Sequence, residues 1–169
     1  MMHDKDPSFW QFHLENAKTM GDRELEAVAL TNLGASYHTA QQYQRAIAKY
    51  RQAIAIFQEL ADLDGEIWAL TNLGSAYNCL QEYARAVITY RQAIDLANTR
   101  GTLVPPGLLC NLGQTYRSMG RYDEAIAVCE EAIGTLRESG STVELTETVR
   151  VLKDLRHEHN TLSSGVAIT

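Results

Sequence analysis

The tetrapeptide Thr31-Asn32-Leu33-Gly34 returns as Thr71-Asn72-Leu73-Gly74, and its last three residues recur in Cys110-Asn111-Leu112-Gly113. The offsets are 40 and then 39 residues. Tyr37, Tyr77 and Tyr116 follow each glycine at the same distance. Further along, Tyr43-Gln44-Arg45-Ala46-Ile47 matches Tyr83-Ala84-Arg85-Ala86-Val87 and Tyr122-Asp123-Glu124-Ala125-Ile126. The pentapeptide Tyr50-Arg51-Gln52-Ala53-Ile54 recurs verbatim from Tyr90 to Ile94. A chain that repeats at this period is an array of like units, and each unit must bury its apolar face against a neighbour.

Each unit reads as two helices. Leu30, Leu33, Gly34 and Tyr37 fall at i, i+3, i+4 and i+7, one stripe of an α-helix. Ala46, Ile47, Tyr50, Ala53, Ile54 and Phe57 keep that period in the second helix. Gly34 and Ala46 remove side-chain bulk where paired helices cross. Glycine inside a helix costs about 1 kcal/mol relative to alanine, so its return in every unit points to a packing requirement.

These residues resemble the tetratricopeptide repeat, whose pattern is W-x2-L-G-x2-Y, then A-x3-F and a closing proline. Leu30, Leu70 and Leu109 stand in place of the leading tryptophan. The aromatic after the small residue is Tyr50 and Tyr90 but Cys129 in the third unit, and the closing proline is missing. The period of 40 exceeds the roughly 34 of the family pattern, a difference of about 9 Å of helix if the extra residues are helical. Units of this length are similar to those of the Pins/LGN polarity adaptors, kinesin light chains and bacterial repeat regulators. The resemblance covers about residues 24–138 and implies an all-α fold, a right-handed α-α superhelix of about eight antiparallel helices.

The expected organisation is one domain over 1–169. An N-terminal half-repeat helix spans 7–20, three repeats span 24–62, 64–100 and 104–138, a capping helix spans 141–159, and a flexible tail spans 160–169. Trp10 falls where Tyr50 and Tyr90 stand, and residues 101–106 break the helix between the second and third units. The charged residues Glu144, Glu147, Arg150, Lys153, Asp154 and Arg156 suit a cap with a wet outer face.

In this family the first helices line a concave surface. The matching positions in the first unit are Val28, Thr31, Asn32, Ala35, His38 and Thr39. Trp68, Thr71, Asn72, Ser75, Asn78 and Cys79 follow in the second. The third supplies Gly107, Cys110, Asn111, Gln114, Arg117 and Ser118. Asn32, Asn72 and Asn111 form a repeated column. Each amide offers a donor and an acceptor, as a peptide backbone requires, and adaptors with such a ladder hold a partner that way. The alternative is that these amides bond neighbouring helices or face water. A carboxylate clamp of the chaperone-tail kind is not expected, because Arg117 is the lone cation among these positions. Trp68 is read first as packing at the seam between the first two units and second as an anchor for a partner. His38 is read as an exposed, unpaired surface histidine bordering the groove. The charges at Glu59, Asp62, Asp64 and Glu66 read as a solvated corner.

The composition narrows the function. Fifteen Lys+Arg stand against 21 Asp+Glu, a net charge of −6, which argues against binding nucleic acid or an anionic membrane. Cys79, Cys110 and Cys129 form no CxxC pair, and His157 and His159 lie two apart on a helix, so no metal or cofactor is expected. Phosphate loops, HExxH and GxSxG motifs do not occur in the sequence, so an enzyme is not expected. The N-terminus has no apolar run and no membrane span is expected, which makes the cytoplasm the default compartment.

The reading that results is a non-catalytic scaffold holding an extended peptide or helix of a partner protein in its concave groove. Two alternatives stand beside it. One is self-association through the apolar N-terminal helix, where Phe9, Trp10, Phe12 and Leu14 cluster. The other is a peptide-sensing regulator of a bacterial signalling system.

Overall fold

The computed structural model describes residues 6–164, and every regular element in that range is an α-helix. In order they are α1 (Pro7–Met20), α2 (Arg23–Thr39), α3 (Tyr43–Leu60), α4 (Leu63–Cys79), α5 (Tyr83–Arg100), α6 (Pro106–Ser118), α7 (Tyr122–Ser139) and α8 (Thr142–Ser163). The all-α class with tandem helix pairs is therefore as expected. The chain divides after Gly101 into two compact units. In the first, α1 to α4 each pack on the helix that follows, and α2 also touches α4. In the second, α6 packs on α7 and α7 on α8.

The ends of these helices are set locally. Asp22 and Asp62 accept the amides of Leu25 and Gly65 and so cap α2 and α4. Pro106 opens α6 at a position where no amide is needed. Every connection turns on one left-handed residue: Gly21, Gln41, Ala61, Gln81, Gly101, Gly120 and Gly140. At Gln41, Ala61 and Gln81 that conformation is held by a residue with a Cβ, at φ of 58°, 54° and 60°.

The core of the first unit joins Leu14, Ala27, Leu30, Leu33, Ala53, Ile56 and Phe57. Ile56, one residue off the expected stripe, is buried, whereas Ile54 is only half-buried. A ring stands over each repeat glycine in this unit. A Cβ built on Gly34 would lie 2.6 Å from Tyr50 Cε1. In the second unit Cys129 takes that place, and its Sγ would lie 3.2 Å from a Cβ on Gly113. Burial pushes the Cys129 thiol up to about 11, so it behaves as a small apolar side chain.

One expected boundary and one expected surface differ. The last helix does not stop at 159 but runs to Ser163, its final turn held by Thr161 and Ser164 hydroxyls donating to backbone carbonyls. Residues 165–169 of the expected tail lie outside the described residues. Leu14 is buried in the core of the first unit, so of Phe9, Trp10, Phe12 and Leu14 it is Phe12, 58% exposed, that stays open.

Candidate functional site

Contact between α2 and α4 sets equivalent positions of the first two repeats side by side. The expected groove residues on these helices do not share one fate. Thr31 is fully buried, its hydroxyl donating to Ala27 O at 3.0 Å, so it can touch no partner. The cause is the number of neighbours: α2 is packed by α1, α3 and α4, and a single buried stripe does not describe such a helix. Asn32 is half-buried and donates its amide back to Val28 O at 2.9 Å. Thr71 likewise returns its hydroxyl to Ile67 O at 2.7 Å.

On α4 more remains for a partner. Asn72 is half-buried, and its side-chain amide makes no hydrogen bond to any of the described residues. Trp68 is not packed away in a seam: 40% of it stays exposed. Ser75 and Asn78 are half-buried on the same side of the helix.

His38 differs from its expected state. It is half-buried, with Nε2 3.4 Å from Ser75 Oγ and 3.6 Å from Cys79 Sγ, and its ring meets that of Tyr43 edge-on at 5.2 Å. Burial lowers its pKa, so the imidazole is neutral at pH 7. The result is a side of α2 and α4 that offers an indole, amides and hydroxyls without formal charge.

In the second unit Asn111 is half-buried and Gln114 exposed on α6. Arg117 is not a free groove cation. Its Nε donates to Glu158 Oε2 at 3.0 Å while a terminal nitrogen meets Glu158 Oε1, a two-pronged pair that raises the arginine pKa further. Gly107 falls where Trp68 stands in the preceding repeat. With no side chain there, an apolar slot of about 330 Å³ opens between Gly107, Cys110, Leu136 and Val143.

The acidic corner also resolves differently. Asp62 caps α4, Glu59 pairs with Arg23 and Asp64 with Arg100. Glu66, by contrast, is only 8% exposed and accepts a 2.6 Å hydrogen bond from Gln58. The sequence carries a signal for this, since Glu66, Leu70, Leu73 and Tyr77 follow one helical stripe.

Among the described residues, no three His, Cys, Asp or Glu side chains converge as a metal site. No described helix is long and apolar enough to cross a membrane. His159 Nε2 lies 3.6 Å from Asp123 and the ring stacks on Tyr122.

Comparison with known proteins agrees with the helix pairs. A tetratricopeptide repeat profile matches residues 14–99, and a second one matches residues 107–134. No curated protein matches the sequence. Among solved structures, BtubC (BKLC) from P. vanneervenii superposes with a TM-score of 0.79 at 17% identity, covering 90% of this chain and 65% of that one. Aspartyl phosphate phosphatase F from Bacillus subtilis gives 0.81 at 19% identity, covering 93% of this chain and 42% of that one. The tetratricopeptide domain of Arabidopsis FLU gives 0.65 at 16%, covering 69% of this chain and 98% of the domain. The chain thus spans less than two thirds of the length of the first two. At these identities the likeness is one of fold.

Proposed function

The chain belongs to the tetratricopeptide repeat family, and from that premise we propose that it is a non-catalytic scaffold whose α2–α4 face holds a segment of another protein. Tetratricopeptide repeats serve generally as protein-interaction modules. The observation that carries the finer reading is the state of α4. Trp68 stays 40% exposed beside Asn72, whose amide is unspent. An exposed indole supplies large contact area, and an amide pairs with both the N–H and the C=O of an extended backbone. Asn111 and Gln114 on α6 offer the same chemistry in the second unit, while Asn32 and Thr71 each spend one donor on their own helix and offer a partner what remains.

The chemistry also selects the partner segment. Arg117 is neutralised by Glu158, so a terminal carboxylate finds no unpaired cation at the expected groove positions. A neutral internal segment, extended or helical, fits this face better than an acidic chain end. Affinity capture from the source cell with wild-type and Trp68→Ala/Asn72→Ala baits tests the reading. Loss of a specific partner from the double variant is the expected result; equal recovery places the interface elsewhere.

A second reading keeps self-association through α1, because Phe12 is 58% exposed beside the ring of His13. Sedimentation velocity of the wild type and Phe12→Ser separates the two readings. A wild-type dimer that Phe12→Ser dissociates supports self-association, and a monomer in both excludes it.

A further inference from the structure

On the side of α4 turned away from Trp68, the helices α3 and α5 border a cleft of about 450 Å³. We propose that this cleft is a binding site for an alkylammonium, a primary organic cation carried on an aliphatic body. Leu70 and Leu73 of α4 form its floor, with Ile54 and Leu96 on the walls. At a rise of about 1.5 Å per residue, Glu66 and Leu73 stand about 10 Å apart along the helix, so carboxylate and apolar floor are reached by one extended ligand. The volume lies within the range of small-molecule sites, roughly 300–1,000 Å³.

The sign of the ligand follows from Glu66. The residue is 8% exposed and lines the cleft, and its carboxylate accepts one hydrogen bond, from Gln58. A carboxylate has about four lone-pair sites, so most of its capacity is unused, and a buried charge without a counter-charge is costly. Among the described residues no ion pair joins Glu66 or Asp95, the exposed carboxylate on the α5 rim. Arg51, the cation of the cleft, donates to the Tyr77 hydroxyl at 2.6 Å. One positive group thus faces two negative ones, and the deeper carboxylate is the one in want of a partner.

A helical period of 3.6 puts Glu66, Leu70 and Leu73 opposite Trp68, Asn72 and Ser75 on α4. This site is therefore independent of the protein-binding face, and either can fail without the other.

The test is an NMR titration of the full ¹⁵N-labelled chain with n-hexylamine, hexan-1-ol, hexanoate and Nα-acetyl-lysine methylamide. Hexylamine is expected to shift the amides around Gln58, Glu66, Leu70 and Leu73, and hexan-1-ol and hexanoate to leave them in place. Glu66→Gln weakens hexylamine binding about tenfold or more, the loss expected when a charged hydrogen-bond acceptor becomes neutral. Asp95→Asn, an exposed change that leaves packing intact, weakens it by a smaller factor. Binding of the lysine derivative as well assigns the site to a lysine side chain of a partner, and binding of hexylamine alone to a free amine. Equal binding of hexan-1-ol, preference for hexanoate, or unchanged affinity in both folded variants overturns the proposal.

Discussion

Gly74 lies directly beneath the ring of Tyr90: a Cβ at position 74 would stand 2.5 Å from Tyr90 Cε1 and 2.9 Å from its Cζ. Tyr90 is fully buried, so the ring has no free space into which to withdraw. The third repeat lacks this lock, since Gly113 faces the smaller Cys129 at 3.2 Å.

Alanine at the two glycines should therefore have opposite effects. Gly74→Ala gains about 1 kcal/mol of helix propensity but overpacks the ring by about 1–3 kcal/mol, a net loss. Gly113→Ala needs only a few tenths of an ångström from the Cys129 thiol, so it is neutral or stabilising by up to about 1 kcal/mol. Urea midpoints of the two variants measure the contrast. Equal shifts would mean that the tyrosine does not set the close approach.

Ala61 ends α3 in the left-handed region, at φ 54°, where α1, α5 and α7 end on glycine. A Cβ in that conformation costs about 1–2 kcal/mol, while glycine costs about 0.5–1 kcal/mol in the unfolded chain. Ala61→Gly should raise stability by a few tenths to about 1 kcal/mol. A lower melting temperature for this variant would show that the Ala61 methyl makes a contact outweighing the strain.

His38 makes stability depend on pH. Burial lowers its pKa below the ordinary 6.5, so the unfolded chain binds the proton more readily than the folded one. Its contribution is complete above about pH 6.5 and is lost as pH falls through the lower folded value. Asn78 occupies the equivalent place in the next repeat, which makes His38→Asn the natural control. Between about pH 7.5 and pH 5.5 the wild type should lose more stability than this variant. Parallel stability curves would show that the imidazole titrates as it does in water.

The repeats were legible because they rest on local patterns that recur at 40 residues, with glycine, tyrosine and alanine each at a fixed offset. The binding face was less so. Thr31 sits opposite the Leu30–Leu33 stripe, yet it is buried, because an inner helix of an array has neighbours on more than one side. The pairing of His38 with Ser75 and Cys79 joins residues 37 and 41 apart, and Arg117 finds Glu158 across 41. Such contacts depend on how one repeat sits on the next, which no window within one helix can show. Glu66 departs from expectation for the opposite reason: its acidic neighbours point to solvent, while its spacing to Leu70 and Leu73 places it on the buried stripe.

The proposed scaffold holds a partner protein against the Trp68 side of α4. Site-specific photo-crosslinking in the source cell tests it most directly, with p-benzoylphenylalanine placed at position 68 or, as control, at Ile88, a residue 60% exposed on α5. A discrete protein adduct is expected from position 68 and none from position 88. An adduct from position 88 with none from position 68 would contradict it.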